Sequence, residues 1–187
     1  MQDKKGTCGY IRWRKRRILL WIMILVVIAI AIYITGFLLN DKSNKNVFTM
    51  VAVLFALPIA KQLVALILLF PYRSVSQERY QQVKNKLTDG MELMADLVIT
   101  SPEHVMHLDF VAVGQNQVIA LLGEGKQELA EVRDYLSKGV HNWGSGYKVK
   151  IVESEKVFMQ ELQKVTAVEV KEEEEKKVKS YLISLIV

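Results

Sequence analysis

Three histidines, one cysteine and a short glycine pair are the residues whose types first invite chemistry. His104 and His107 straddle the start of a predicted strand, where a separation of three places them on opposite faces. They are therefore not expected to share a metal, and His141 lies in a separate predicted loop, His141 to Gly146. Cys8 is the only cysteine, which rules out a disulfide within one chain and any multi-cysteine metal site. It sits in a basic tail and reads as an inert thiol. Gly123-x-Gly125 lacks the third glycine and the lysine pattern of the phosphate-binding loops, and no serine nucleophile elbow occurs. These residues call for no cofactor and no metal.

The elements that position these residues begin with two apolar runs. Ile18 to Leu39 is uncharged over 22 residues, which at 1.5 Å per residue reaches about 33 Å and matches a hydrocarbon core of roughly 30 Å. It is longer than the apolar stretch of a signal peptide and runs into Phe37, Leu38 and Leu39, so a retained span is expected. The polar segment Asn40 to Asn46 turns the chain, and Val47 to Phe70 is a second apolar run. The predicted organisation is a basic cytoplasmic tail over 1–17, a transmembrane hairpin over 18–70 (18–39 and 47–70) and a cytoplasmic α/β domain over 71–187. Seven basic residues precede the first run, against Lys42 and Lys45 in the turn, so both termini are expected in the cytoplasm. Trp21 and Tyr72 suit the headgroup zone at the ends of the runs.

Lys61 is the one ionisable residue well inside the apolar runs. A midplane lysine costs about 2.5 to 3.5 kcal/mol, much of it relieved if the side chain snorkels. A snorkelling lysine near a kink at Pro58 is the expected reading.

From Tyr72 onward, 15 basic residues stand against 18 acidic ones, so this part is near −3 although the whole chain is +5. A nucleic-acid-binding domain would carry its own basic surface, and nucleic acid is not an expected partner. Ser76 to Leu87 has helical spacing with Ser76 as N-cap. Leu93 to Thr100, Val105 to Val113 and Val118 to Leu122 read as three strands, the last two joined by a tight turn. Gln127 to Lys138 is a helix expected to end at Gly139. Tyr147 to Val152 is a strand, Glu155 to Val165 a helix, and the charged tail from Glu169 a further helix ending in an apolar segment that packs on the domain.

The order helix, three strands, helix, strand resembles the core of the restriction-endonuclease-like superfamily, and Leu108-Asp109-Phe110-Val111-Ala112-Val113 resembles the second strand of its nuclease-related domains. The resemblance covers Ser76 to Val152. It implies a divalent metal held by an aspartate on the second strand and an acidic-x-Lys pair on the third, activating water against a phosphodiester. The matching positions are Asp109, Glu124 and Lys126. This chain departs from the pattern: Glu124-Gly125-Lys126 follows the predicted strand, and if Val118 to Leu122 is that strand its acidic position holds leucine. The same spacing recurs at Glu169 with Lys171, Glu174 with Lys176 and Glu175 with Lys177. The basic opening around Tyr10-Ile11, the two spans and Phe70-Pro71-Tyr72-Arg73-Ser74 also resemble a group of two-span membrane proteins from Gram-positive bacteria.

The expected fold is thus α/β, a two-helix transmembrane hairpin followed by a cytoplasmic αβββαβ domain of restriction-endonuclease-like type. The expected function is a scaffold or interaction module without catalytic residues, anchored in a bacterial cell membrane. Its partners are the lipid bilayer and another protein, and a homo-oligomer is compatible with the sequence. The alternative is a membrane-tethered, metal-dependent nuclease or related phosphodiester hydrolase using Asp109, Glu124 and Lys126.

Overall fold

A computed structural model describes residues 4–39, 47–101, 104–125, 127–166 and 172–187. The chain divides into two compact units, one of Met1–Arg12 with Tyr72–Val187 and one of Trp13–Pro71.

The second unit is helical. Helix α1 (Tyr10–Leu39) starts within the first unit and supplies most of its length to the second; α2 (Val47–Leu54) and α3 (Ala56–Leu69) follow. Among the described residues two helical runs, of 30 and 23 residues, are long and apolar enough to cross a membrane, and only 6% and 0% of their apolar windows are buried. A core helix of a soluble protein would be mostly covered. The turn expected at Asn40 to Asn46 lies outside the described residues.

The break between α2 and α3 falls at Phe55, three residues before Pro58. Proline has no N–H for the Leu54 carbonyl and its ring crowds that carbonyl, so the disturbance appears on the preceding turn. The ladder resumes with Ile59 N–H donating to the Phe55 carbonyl at 3.3 Å. Lys61 and Trp21 are exposed. The Lys15 ammonium donates to the Phe70 carbonyl at 2.9 Å, which ties the first turns of this unit to its last residues.

The other unit is built on a four-stranded sheet. Helix α4 (Gln77–Lys84) is capped by the Ser76 hydroxyl, which accepts from Arg79 N–H. Strands β1 (Met91–Thr100), β2 (Val105–Gly114) and β3 (Gln117–Leu122) form an antiparallel meander in the order β1-β2-β3. Gln115 and Asn116 both have positive φ, 51° and 57°, as a two-residue hairpin turn with the twist of its strands requires. Helix α5 (Leu129–Trp143) then crosses over to β4 (Lys148–Val152), which lies parallel to β3 on its outer side. Helices α6 (Glu155–Gln163) and α7 (Glu172–Leu185) complete the unit.

Strands β1, β2 and β3 are buried on both faces, whereas β4 buries only Ile151. Ala95, Phe110, Ala112, Ile119 and Leu121 pack with Val83 of α4 and Phe158 and Leu162 of α6 in one core cluster. The alternating residues Val111, Val113, Val118 and Ala120 are equally buried and belong to the other face, where α5 and α7 pack against each other and α7 against β1 and β2. A mixed sheet covered in this way reads in sequence as near-continuous apolar runs, which is what Leu93 to Leu122 shows.

Two features differ from the sequence-based expectation. Helix α5 runs through Gly139 to Trp143. A Cβ at Gly139 would stand 1.8 Å from the Tyr181 hydroxyl, so this glycine makes room for α7 and does not end the helix. The basic tail is not a separate segment either, because residues 4–12 fold with the sheet: Ala95 N–H donates to the Gly6 carbonyl at 2.8 Å, and Tyr10 and Ile11 are 4% and 1% exposed. On the same strand, Val187 N–H donates to the Val98 carbonyl and Ile186 bridges Ile99. Segments near both chain ends thus cover the free edge of β1, which would otherwise offer unpaired groups to other chains.

Candidate functional site

Asp109 lies on β2 at an irregularity. Pairs between β2 and β3 run from Gly114–Gln117 to Phe110–Leu121, then jump to Leu108–Leu122, leaving Asp109 as the extra residue of a bulge. On the other side Ala95 pairs with Phe110 and Leu97 with Leu108, while the intervening Asp96 and Asp109 do not pair. In the register of the other pairs Asp109 would stand opposite Leu122; at the bulge it leaves the ladder and meets Arg79 of α4. Its Oδ2 accepts from Arg79 Nη2 at 3.1 Å, and the guanidinium also bonds Glu155 through Nε (3.0 Å) and Nη2 (2.6 Å). The Arg79 guanidinium carbon lies 5.6 Å from the centre of the Phe110 ring. Burial pulls the Arg79 pKa down, but the hydrogen bonds and charges of Glu155 and Asp109 outweigh it and the net shift is upward.

His107 lies beside this pair. It is 2% exposed, its Nε2 is 3.8 Å from Asp109 Oδ1, and its ring tilts against Tyr72 at 4.9 Å between centroids. Among the described residues neither ring nitrogen has a hydrogen bond of normal geometry, although the Glu124 backbone acts on the ring. Burial pulls its pKa below the ordinary 6.5, and the Asp109 charge only partly restores it. A Cβ at Gly123 would fall 2.2 Å from His107 Nδ1 and 2.7 Å from Asp109 Oδ1, so glycine is required there. Gln127 completes the wall. Its side chain accepts from His107 N–H at 2.7 Å and donates to the His107 and Gly123 carbonyls at 2.7 and 3.1 Å, continuing the ladder past the end of β3.

The other sequence-derived candidates are scattered. Glu124 is exposed in a bend beyond β3, and Lys126 lies outside the described residues. Strand β3, Gln-Val-Ile-Ala-Leu-Leu, contains no acid, so the residues across the ladder from the bulge are Leu121 and Leu122. His104 is exposed with Nε2 3.5 Å from Glu131, and His141 is exposed on α5. Cys8 is half-buried with its Sγ 3.6 Å from the Val75 carbonyl, and burial pushes its pKa up, favouring the thiol. Tyr72, assigned from sequence to the headgroup zone, packs on His107 within the sheet unit because the chain joins that unit directly after Pro71.

A Mg²⁺ site needs carboxylate oxygens free to approach the ion at about 2.0 to 2.1 Å. Here a guanidinium occupies the open side of Asp109, and no group of three or more His, Cys, Asp or Glu among the described residues is arranged to hold a metal. One guanidinium shared by two carboxylates offsets part of their charge and joins α4, β2 and α6. Arg79, Glu155 and Gln127 were not legible as a set: Arg79 reads as a flanking positive charge, and Glu155 and Gln127 as ordinary residues at helix starts.

No protein-family model, no curated protein and no solved structure matches the chain.

Because the unfolded chain takes up a proton near pH 6.5 and the buried ring does so only at lower pH, acidification draws the equilibrium toward the unfolded state. The stability associated with neutral His107 is complete above pH 6.5 and is lost as pH falls below it. Thermal midpoints of the full chain, taken at about pH 7.5 and about pH 5.5, are expected to fall more for the wild type than for His107→Leu. Equal falls in the two proteins would remove His107 from the pH response.

Proposed function

We propose that this chain is a membrane-anchored interaction or scaffold module without catalytic activity, its α/β unit in the cytoplasm of a bacterium and bound to a partner protein. The anchor is supported by the two exposed apolar runs. The cytoplasmic assignment rests on the seven basic residues before the first run against two in the turn. The likeness to the restriction-endonuclease-like core is supported by the meander β1-β2-β3 with a parallel β4 reached through α5. The observation that carries the non-catalytic reading is the Arg79 guanidinium bridging Asp109 and Glu155, beside a third strand without acids.

Two experiments test the two halves of the reading. With Cys8 replaced by serine, an impermeant thiol reagent added to intact cells should label a cysteine placed at Ser43 and leave one placed at Ser154 untouched. Labelling at 154 would overturn the topology. The purified full chain, incubated with Mg²⁺ or Mn²⁺ and DNA or RNA, should cleave neither. Cleavage abolished by Asp109→Ala would replace the scaffold reading with the tethered nuclease.

A further inference from the structure

The sheet unit hides its large apolar side chains with two exceptions: among its described residues only Trp143, 50% exposed, and Val157, 41% exposed, are left open. Trp143 ends α5, in the helical turn that continues past Gly139. Its ring faces Tyr181 of α7 at 6.3 Å between centroids and 27° between planes. The Tyr181 hydroxyl sits close against Gly139, where only a glycine leaves it room, and this brings the two rings together. With Lys176, Lys177, Ser180 and Ser184 the two rings line an open cavity of about 350 Å³, and no acid lines it among the described residues. Lys176 has a carboxylate partner in Glu172 at 3.6 Å, but both side chains are more than three-quarters exposed. Such a pair is held weakly and exchanges readily for another carboxylate.

We propose that this face binds a short acidic segment of a partner protein. An aromatic or aliphatic side chain of that segment rests on Trp143 and Tyr181, and its flanking carboxylates meet Lys176 and Lys177. The inference rests on the reading of the unit as an interaction module and names the surface that reading lacks. Tryptophan and tyrosine are among the residue types that dominate binding energy at protein interfaces, and here an exposed Trp143 stands beside a half-buried Tyr181. The volume suits a few side chains, and the charge is positive only locally. Glu172 to Glu175 occupy the first turn of the same helix, and the residues from Tyr72 onward sum to about −3 from 15 basic and 18 acidic side chains. An extended polyanion would meet that repulsion along its length, whereas a short peptide engages only the two lysines.

The test is panning of a random 12-residue peptide library on phage against the full chain in lipid nanodiscs. Enriched peptides should carry two or more Asp or Glu beside an aromatic or long aliphatic residue. A synthetic copy of the leading peptide should lose affinity by about tenfold or more on Trp143→Ala and on Lys176→Glu with Lys177→Glu, the variants keeping the wild-type melting temperature. Absence of any enriched peptide, or peptides that bind both variants as well as wild type, would overturn this surface. In the second case the module reading would stand with its site elsewhere; nuclease activity abolished by Asp109→Ala would instead remove that reading itself. A 12-nucleotide oligo-dT whose binding disappears in Trp143→Ala would overturn the peptide assignment in favour of nucleic acid. Self-association lost in the same variant would overturn it in favour of a second copy of the chain.

Discussion

Asp96 is fully buried in the middle of β1 with φ of +59°, and much of the sheet unit is arranged around its carboxylate. An aspartate tolerates this backbone region better than most residues, at a cost on the order of 1 to 3 kcal/mol. Its Oδ1 accepts from Val75 N–H at 2.8 Å. The main-chain N–H groups of Gly9 and Ile11 and the Ser74 side chain also act on the charge, while among the described residues Oδ2 has no hydrogen bond of normal geometry. Burial pushes the carboxyl pKa up, and these donors pull it part of the way back. Since Ile11 lies in the first turn of α1, an anion here also meets the positive end of that helix. Arg12 N–H donates to the Ser74 hydroxyl at 2.9 Å, so the chain leaving toward α1 and the chain arriving before α4 are held side by side.

That constraint bears on the candidate site across the ladder. Two carboxylates directly opposite on neighbouring strands would repel. Asp96 turns to the N-terminal segment, and Asp109 bulges toward α4 and finds Arg79. What resembles a metal-binding aspartate in sequence is therefore an acid already matched by a base. His107, Tyr72 and Gln127 close the remaining space with rings and an amide, and a glycine at 123 is what lets them approach. The result is a closed, tied end of the central strands β2 and β3, while the exposed aromatic of the unit is Trp143 at the end of α5.

Much of this was legible in the sequence where side-chain period carries the signal. The strands over Leu93 to Leu122, the turn at Gln115-Asn116 and the helices carrying Tyr80, Leu136 and Phe158 follow from apolar spacing and turn chemistry. The long-range effects were not legible. Gly139 looks like a helix stop until Tyr181, 42 positions later, is seen to need its space. The bulge at Asp109 shifts the register by one, which no local pattern announces. The basic tail conceals Tyr10 and Ile11, two apolar residues that dock on the sheet, because the surrounding charge makes the segment read as solvated.

The most direct test of this account is hydrogen–deuterium exchange on the full chain carrying Asp96→Gly. Glycine adopts the left-handed backbone without strain and removes the side chain with its carboxylate, so a loss of protection is not caused by backbone strain. Faster exchange is predicted in two segments distant in sequence, residues 5–12 and 73–76, with protection of the β2–β3 hairpin retained. Wild-type protection of residues 5–12 in that variant would contradict the claim that one buried carboxylate holds both chain segments to the sheet.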